Sequence, residues 1–215
     1  MAWRVGVDVG GTFTDLAAID EAGGPVRLEK VPTTPADQSA GVAAGLKTLL
    51  RREGVSPAAV TYLGHGTTVC INAVLERKGA RTGLVTTQGM RDLLELRRQI
   101  RDDLYDLQAD KPEPVVPRNL RHEVPERTLA DGQVVTALDV NAVRAAIGAL
   151  VAEGVEALAV CFLHSYVNPA HERAVAELVR REFPDLYLSV SSDVLPEFRE
   201  FERLSTTVMN AYVGP

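Results

Sequence analysis

Three valines at alternate positions, Val5, Val7 and Val9, are separated by Gly6 and Asp8 and halted by Gly10-Gly11. No other stretch constrains the chain as much. Period-two alternation marks a strand with one apolar face, the glycine pair a tight turn, and the apolar run from Leu16 to Ile19 a returning strand, so the first twenty residues are expected to form a β-hairpin. Asp8 among three valines reads as a carboxylate buried in an apolar strand, a costly placement unless it is paired or faces a ligand. Gly10 and Gly11 have the freedom to take positive φ and to let a ligand approach their N–H groups. Thr12 and Thr14 add hydroxyls, and Asp15 a second carboxylate. Together these suit a metal–phosphate group: N–H and hydroxyl donors for phosphate oxygens, and Asp8 holding magnesium through water. The same residues also fit a plain hairpin turn in which Asp8 caps loose N–H groups. Neither G-x-x-x-x-G-K-[ST] nor G-x-G-x-x-G is present.

Beyond the hairpin, Gly23-Gly24 predict a turn into a third strand over 26–33, giving three antiparallel strands at the start. Pro35 and Asp37 introduce a helix with Val42, Leu46, Leu49 and Leu50 on one face and Gly54 past its end. A short strand over 60–63 runs into His65-Gly66-Thr67-Thr68 and a helix expected to reach Lys78, and residues 81–86 form the next strand. Thr67 or Thr68 is the expected N-cap there, and a helix N-terminus offers free N–H groups to an anion. The bland alternative is that the threonines only cap and His65 is a turn residue. Gly89 to Leu96 reads as a short helix, followed by a polar run with Arg97, Arg98, Arg101, Asp102, Asp103, Tyr105 and Asp106. Arg91 and the later arginines can orient an anionic substrate, or form a solvated face of paired charges.

From 120 to 135 the chain reads as two strands around Asp131-Gly132. Asp139 then caps a helix to Glu153, 157–163 is a central apolar strand, and helix, strand and a final helix over 200–212 follow. His164 and His171 are loop and helix-start residues without metal spacing. Cys70 and Cys161 match no disulfide or zinc pattern and are expected to be buried thiols.

The string Asp8-Val-Gly-Gly-Thr-Phe-Thr-Asp15 resembles the first phosphate hairpin of the superfamily of acetate kinases, sugar kinases, heat-shock chaperones and actin. With His65-Gly-Thr-Thr68, Asn72-Ala-Val and Gly89-Met-Arg-Asp-Leu-Leu-Glu95, the resemblance narrows to the N-terminal region of hydantoinase A and 5-oxoprolinase, and runs nearly end to end. It implies an α/β fold, the first lobe of an actin-like ATPase (ribonuclease H-like), with a mixed sheet of three antiparallel N-terminal strands and flanking helices. It implies ATP and Mg2+ as cofactors, with Asp8 as metal ligand. Asp8, His65 and Arg91 are expected to be catalytic, and Gly10, Gly11, Thr12, Thr14, Asp15, Thr67, Thr68 and Asn72 to hold the nucleotide phosphates or substrate. The implied activity is ATP-dependent opening of a cyclic amide through phosphorylation of its carbonyl oxygen. A subunit of an acetone or acetophenone carboxylase, a plain small-molecule kinase and a non-catalytic partner-binding lobe are the alternatives. A hydantoinase B-type subunit is the expected partner, in a hetero-oligomer.

The superfamily's second glycine-rich hairpin and adenosine pocket do not occur before Pro215, so the chain is expected to be a fragment: engineered, proteolysed or naturally split. It is expected to subdivide into 1–87, 88–138 and 139–215, with both halves sharing one sheet. A net charge of −6 argues against nucleic acid or an anionic membrane as main partner. Without a leader-like segment or an apolar run of about twenty residues, a cytoplasmic location is expected.

Overall fold

In this computed structural model the described residues are 2–34, 37–100, 103, 105, 106, 108 and 110–215. Pro35, Arg101 and Asp102, singled out from the sequence, lie outside them. The chain forms two units, residues 1–78 and 79–215.

In the first unit, strands β1 (Trp3–Val9), β2 (Phe13–Asp20) and β3 (Arg27–Pro32) run antiparallel, and β4 (Val60–Thr67) pairs parallel with β1, giving the order β3-β2-β1-β4. Alternation puts Val5, Val7, Val9, Leu16 and Ala18 on one face, where Leu49 of helix α1 (Gln38–Arg52) completes a small core with Val31, Val42 and Leu46. Asp37 caps α1, its carboxylate accepting from the Ser39 N–H at 3.0 Å. The helix can sit close to the sheet because Gly45 has no side chain: a Cβ there would lie 2.6 Å from Leu16 Cδ1. A short helix, α2 (Val69–Leu75), follows β4 and buries none of its residues.

The second unit is a parallel sheet of β5 (Thr82–Thr87), β6 (Arg121–Val124), β9 (Ala157–Cys161) and β10 (Tyr187–Val190), in the order β10-β9-β5-β6. Strands β5 and β9 are buried at every position, as expected of strands covered on both faces. Helix α3 is Leu93–Leu96, and β7 (Arg127–Thr128) with β8 (Val134–Thr136) makes a two-stranded hairpin. Helix α4 (Val140–Ala152), capped by Asp139, packs on β5 and β6, and α5 (Ala170–Glu182) on β9 and β10. After α6 (Ser191–Val194), α7 (Glu200–Val213) crosses β9, β10 and β5. Leu84, Ile147, Leu150, Leu158, Phe162, Val179 and Leu204 belong to the core.

The α/β class and the mixed sheet with three antiparallel N-terminal strands are as expected. The single shared sheet is not: β5 joins β9 and β6, because its apolar and threonine side chains are buried on both faces. The units therefore part between Lys78 and Gly79, rather than after Thr87. Strand β4 extends to Thr67, so His65 is a strand residue, and α2 stops at Leu75 instead of Lys78, with Arg77 at φ +53°. The helix expected from Gly89 shrinks to four residues, since Gly89 takes φ +91° and Glu123 claims the N–H groups of Gly89 and Arg91. Of the two strands expected over 120–135, the first joins the sheet as β6 and the Asp131-Gly132 turn belongs to β7 and β8. Cys70 is exposed, because α2 has no buried side; only Cys161 is the expected buried thiol.

Candidate functional site

The hairpin tip and the β4–α2 junction gather at one end of the first sheet. Gly10 N–H donates to Phe13 O at 3.0 Å, closing the turn, and a Cβ on Gly10 would meet that same oxygen at 3.0 Å. Neither Gly10 nor Gly11 takes positive φ. Both sit in close quarters: a Cβ on Gly11 would stand 3.1 Å from Asn72 Nδ2. Asn72 in turn donates to Thr68 Oγ1 at 3.4 Å, and Thr68 N–H to Val9 O at 3.2 Å, so α2 is fastened to the hairpin. Thr67 Oγ1 lies 3.4 Å from Val9 O and accepts from Val69 N–H at 3.3 Å. Thr68 holds the N-cap position without a side-chain cap, so the expected capping is done instead by Thr67. The N–H groups of Gly11 and Thr12 engage no acceptor among the described residues.

Gly10, Gly11, Thr12, Thr67, Thr68 and Asn72 are thus brought together. The other expected residues are placed differently. Thr14 is fully buried, its hydroxyl 3.1 Å from that of Thr33, which donates to Gly10 O at 2.9 Å. It braces the turn from beneath. Asp8 is exposed, on the face opposite the valines, and makes no hydrogen bond or ion pair among the described residues, so the reading of a buried carboxylate is corrected by the pleat itself. His65 is in register with Val7 and Gly66 with Asp8, so His65 and Asp8 occupy opposite faces of the sheet. Asp15 pairs with Asp8 in register and is engaged by Lys30 at 3.0 Å.

Asp8, Asp15 and Lys30 line one end of an open groove of about 840 Å³ on the outer face, floored by Gly6, Ala17 and Gly64 and flanked by Leu28 and Tyr62. Sequence reading missed Thr33 and Lys30. The antiparallel register counted back from the Gly23-Gly24 turn sets Lys30 opposite Asp15, and that was the available signal.

The tip offers two free N–H groups and exposed Thr12 and Thr67 hydroxyls to phosphate oxygens. Asp8 offers one uncommitted carboxylate to a divalent ion. No three His, Cys, Asp or Glu side chains gather among the described residues. A lone exposed carboxylate beside free N–H groups suits magnesium only where water and phosphate supply most of its ligands. Arg91 belongs to the second unit: its N–H donates to Glu123 Oε1 at 2.9 Å, and its Nε is buried without an acceptor. His171 Nδ1 is engaged by the buried Glu126 at 2.8 Å, and His164 sits in a loop at φ +57°. No helix among the described residues is long and apolar enough to cross a membrane.

Residues 4–183 match the family model for the hydantoinase/oxoprolinase N-terminal region. The chain is 37% identical over 219 residues to the caprolactamase alpha subunit of Pseudomonas jessenii, covering 99% of this chain and 31% of that one. It is 34% identical over 227 residues to the acetophenone carboxylase gamma subunit of Aromatoleum aromaticum, covering 97% and 31%. Among solved structures, the nucleotide-free form of an ATP-dependent acetone carboxylase superposes with a TM-score of 0.88 at 29% identity, over 99% of this chain and 32% of that chain. The chain thus spans about a third of the length of these relatives.

Proposed function

The chain belongs to the hydantoinase/oxoprolinase N-terminal family, and from that premise we propose that its first unit is the phosphate-holding lobe of an ATP-dependent enzyme that opens a cyclic amide. The observation that carries this is the hairpin tip: two glycines that leave no side chain between the free N–H groups of Gly11 and Thr12 and an approaching anion, with Asn72, Thr67 and Thr68 fastened around them.

An amide resists hydrolysis because its nitrogen donates into the carbonyl. Transfer of a phosphoryl group from ATP to the carbonyl oxygen makes the carbon electrophilic; water adds to it, the ring nitrogen leaves as the amine, and the acyl phosphate so formed is hydrolysed to carboxylate and phosphate. Catalysis of such a transfer is mainly positioning and charge stabilisation. Gly11 and Thr12 would donate N–H groups to phosphate oxygens, and the Thr12 and Thr67 hydroxyls would add to them. Asp8 would orient the waters of a magnesium ion, whose charge offsets that of the phosphates. Thr14 and Thr33 keep the tip in shape without touching the nucleotide. His65, on the other face of the sheet from Asp8, would act from the valine side or not at all. The whole enzyme is proposed to work with a hydantoinase B-type subunit.

The likeness to the acetone and acetophenone carboxylases supports a second reading, in which the phosphoryl acceptors are a ketone enolate and bicarbonate. One assay separates the two: phosphate release from ATP by the protein at its native length with any co-purifying subunit, against 5-oxoproline, N-methylhydantoin, a lactam, and acetone or acetophenone with bicarbonate. Stimulation by a cyclic amide is expected. Stimulation by a ketone with bicarbonate alone moves the protein to the carboxylases, and stimulation by none defeats both readings. Asp8→Asn is expected to lower ATP turnover by about a hundredfold or more while the circular dichroism spectrum is unchanged; unchanged turnover removes Asp8 from the metal role.

A further inference from the structure

An open hollow of about 440 Å³ lies on the flank of α7, wholly within the second unit. Helical spacing sets it up. Leu204, Val208 and Ala211 pack inward as part of the core, while Phe201, Ser205 and Met209 beside them line the hollow. Its floor is the core itself, reached at the buried Leu94 of α3 and at Val208. A third side comes from Pro114 and Val115. Ser205, in the middle of the α7 stripe, supplies a hydroxyl where a larger side chain would fill the space.

Two arginines at the end of α3 tie these sides together. Arg97 Nη2 donates to the Pro112 carbonyl, beside the Pro114 side, and Arg98 is paired with Glu202, beside Phe201. Lys111 Nζ adds a bond to Glu95 O at 3.3 Å. The backbone there takes φ +52° at Arg97 and +58° at Gln99, values that residues other than glycine hold where their surroundings impose them. The hollow is therefore framed and not a product of loose packing.

Size and lining are those of a small-molecule site, which is mostly apolar, carries a few polar groups and spans roughly 300–1,000 Å³. Ile100 lines the hollow while 75% exposed, an apolar side chain that gains burial once something enters. The rim decides the charge of the ligand. Glu202 is taken by Arg98, and Glu113, also on the rim, is itself engaged. Arg97 meets no carboxylate among the described residues, and its bond to Pro112 leaves further guanidinium donors for a planar two-oxygen group.

We propose that this hollow binds a small amphiphilic carboxylate, its aryl or branched alkyl body over Leu94, Val208 and Phe201 and its carboxylate on Arg97. The site draws nothing from the phosphate hairpin and stands if that reading fails.

The test is amide-resolved NMR of the full 215-residue chain titrated with 4-phenylbutyrate, with the neutral 4-phenylbutanamide and with acetate. Saturable shifts from phenylbutyrate are expected at Leu94, Arg98, Val115, Phe201 and Ser205. The amide is expected to bind about tenfold more weakly, and acetate, which has no apolar body, to give no saturable shift. Arg97→Gln is expected to bring the acid down to the affinity of the amide. Ser205→Trp, on the half-buried flank of α7, fills the hollow and is expected to abolish binding of both; it serves if the Arg97 variant does not fold. Equal binding of acid and amide, acetate matching phenylbutyrate, unchanged acid binding in either variant, or no saturable shift at these amides overturns the proposal. So does a shift of the same amides with protein concentration alone, which would mean that a second copy covers the hollow.

Discussion

Phe162 shows how the residue scale works here. Its N–H is bound by a carboxylate, Glu172, and its C=O by a guanidinium, Arg203, both buried, so two opposite charges offset each other across the backbone of one residue instead of touching. Glu172 also accepts from Ser191 Oγ at 2.6 Å and Ser192 N–H at 2.8 Å, which leaves it fully satisfied. Removing one member of such a pair strands the other. Glu172→Ala is therefore expected to cost about 3–5 kcal/mol in urea unfolding; a loss below about 1 kcal/mol would mean that the charges are not coupled. Cys161 lies in the same surroundings, and burial, with the Glu172 charge, pushes its thiol up to about 12. At pH 8 iodoacetamide should then label only Cys70 on the native chain, and both thiols in denaturant, as read by intact mass.

Among elements, α1 shows packing overruling propensity. Alanine is the better helix former by about 1 kcal/mol, yet a Cβ on Gly45 would stand 2.6 Å from Leu16 Cδ1, a distance real Cβ atoms do not keep, and tightly against Val31 at 3.1 Å. Gly45→Ala is expected to destabilise the chain by about 1–3 kcal/mol net in chemical unfolding. A gain in stability would show that Leu16 can turn aside.

The link between α4 and α5 gives a pH signature. Arg144 holds the Glu182 carboxylate at 2.7 and 3.1 Å and Arg181 assists, taking its pKa down to about 2. The folded value lies below the ordinary 4.5, so the contribution is complete above pH 4.5 and fades as pH falls toward 2. Arg144→Ala should flatten the acid limb of a stability-against-pH profile over that window, and the difference should shrink in high salt because the pair is partly exposed.

At the scale of the molecule, each unit has its own core. That of the second is extensive, running through four parallel strands, α4, α5 and α7, whereas the core cluster of the first holds six buried apolar residues among those described, and α2 buries none of its residues. Residues 79–215 expressed alone are expected to give a dispersed NMR spectrum and cooperative melting. A collapsed spectrum would show that they need residues 1–78. Within the whole chain, amides of α2 should exchange with solvent well before those of β9.

What the sequence determined by itself was whatever depends on neighbours along the chain. The valine alternation, the glycine turn, the Asp139 cap and the uninterrupted apolar run of β9 are local, and they yielded the hairpin, α4 and the central strand. Tertiary structure decided what depends on residues far apart. Whether Asp8 is buried rests on which face α1 covers; whether Thr14 is free to meet a ligand rests on Thr33, nineteen positions away. The sheet that β5 joins is chosen by β9, more than seventy residues later, through hydrogen bonds that any extended segment can offer and only burial on both faces can select.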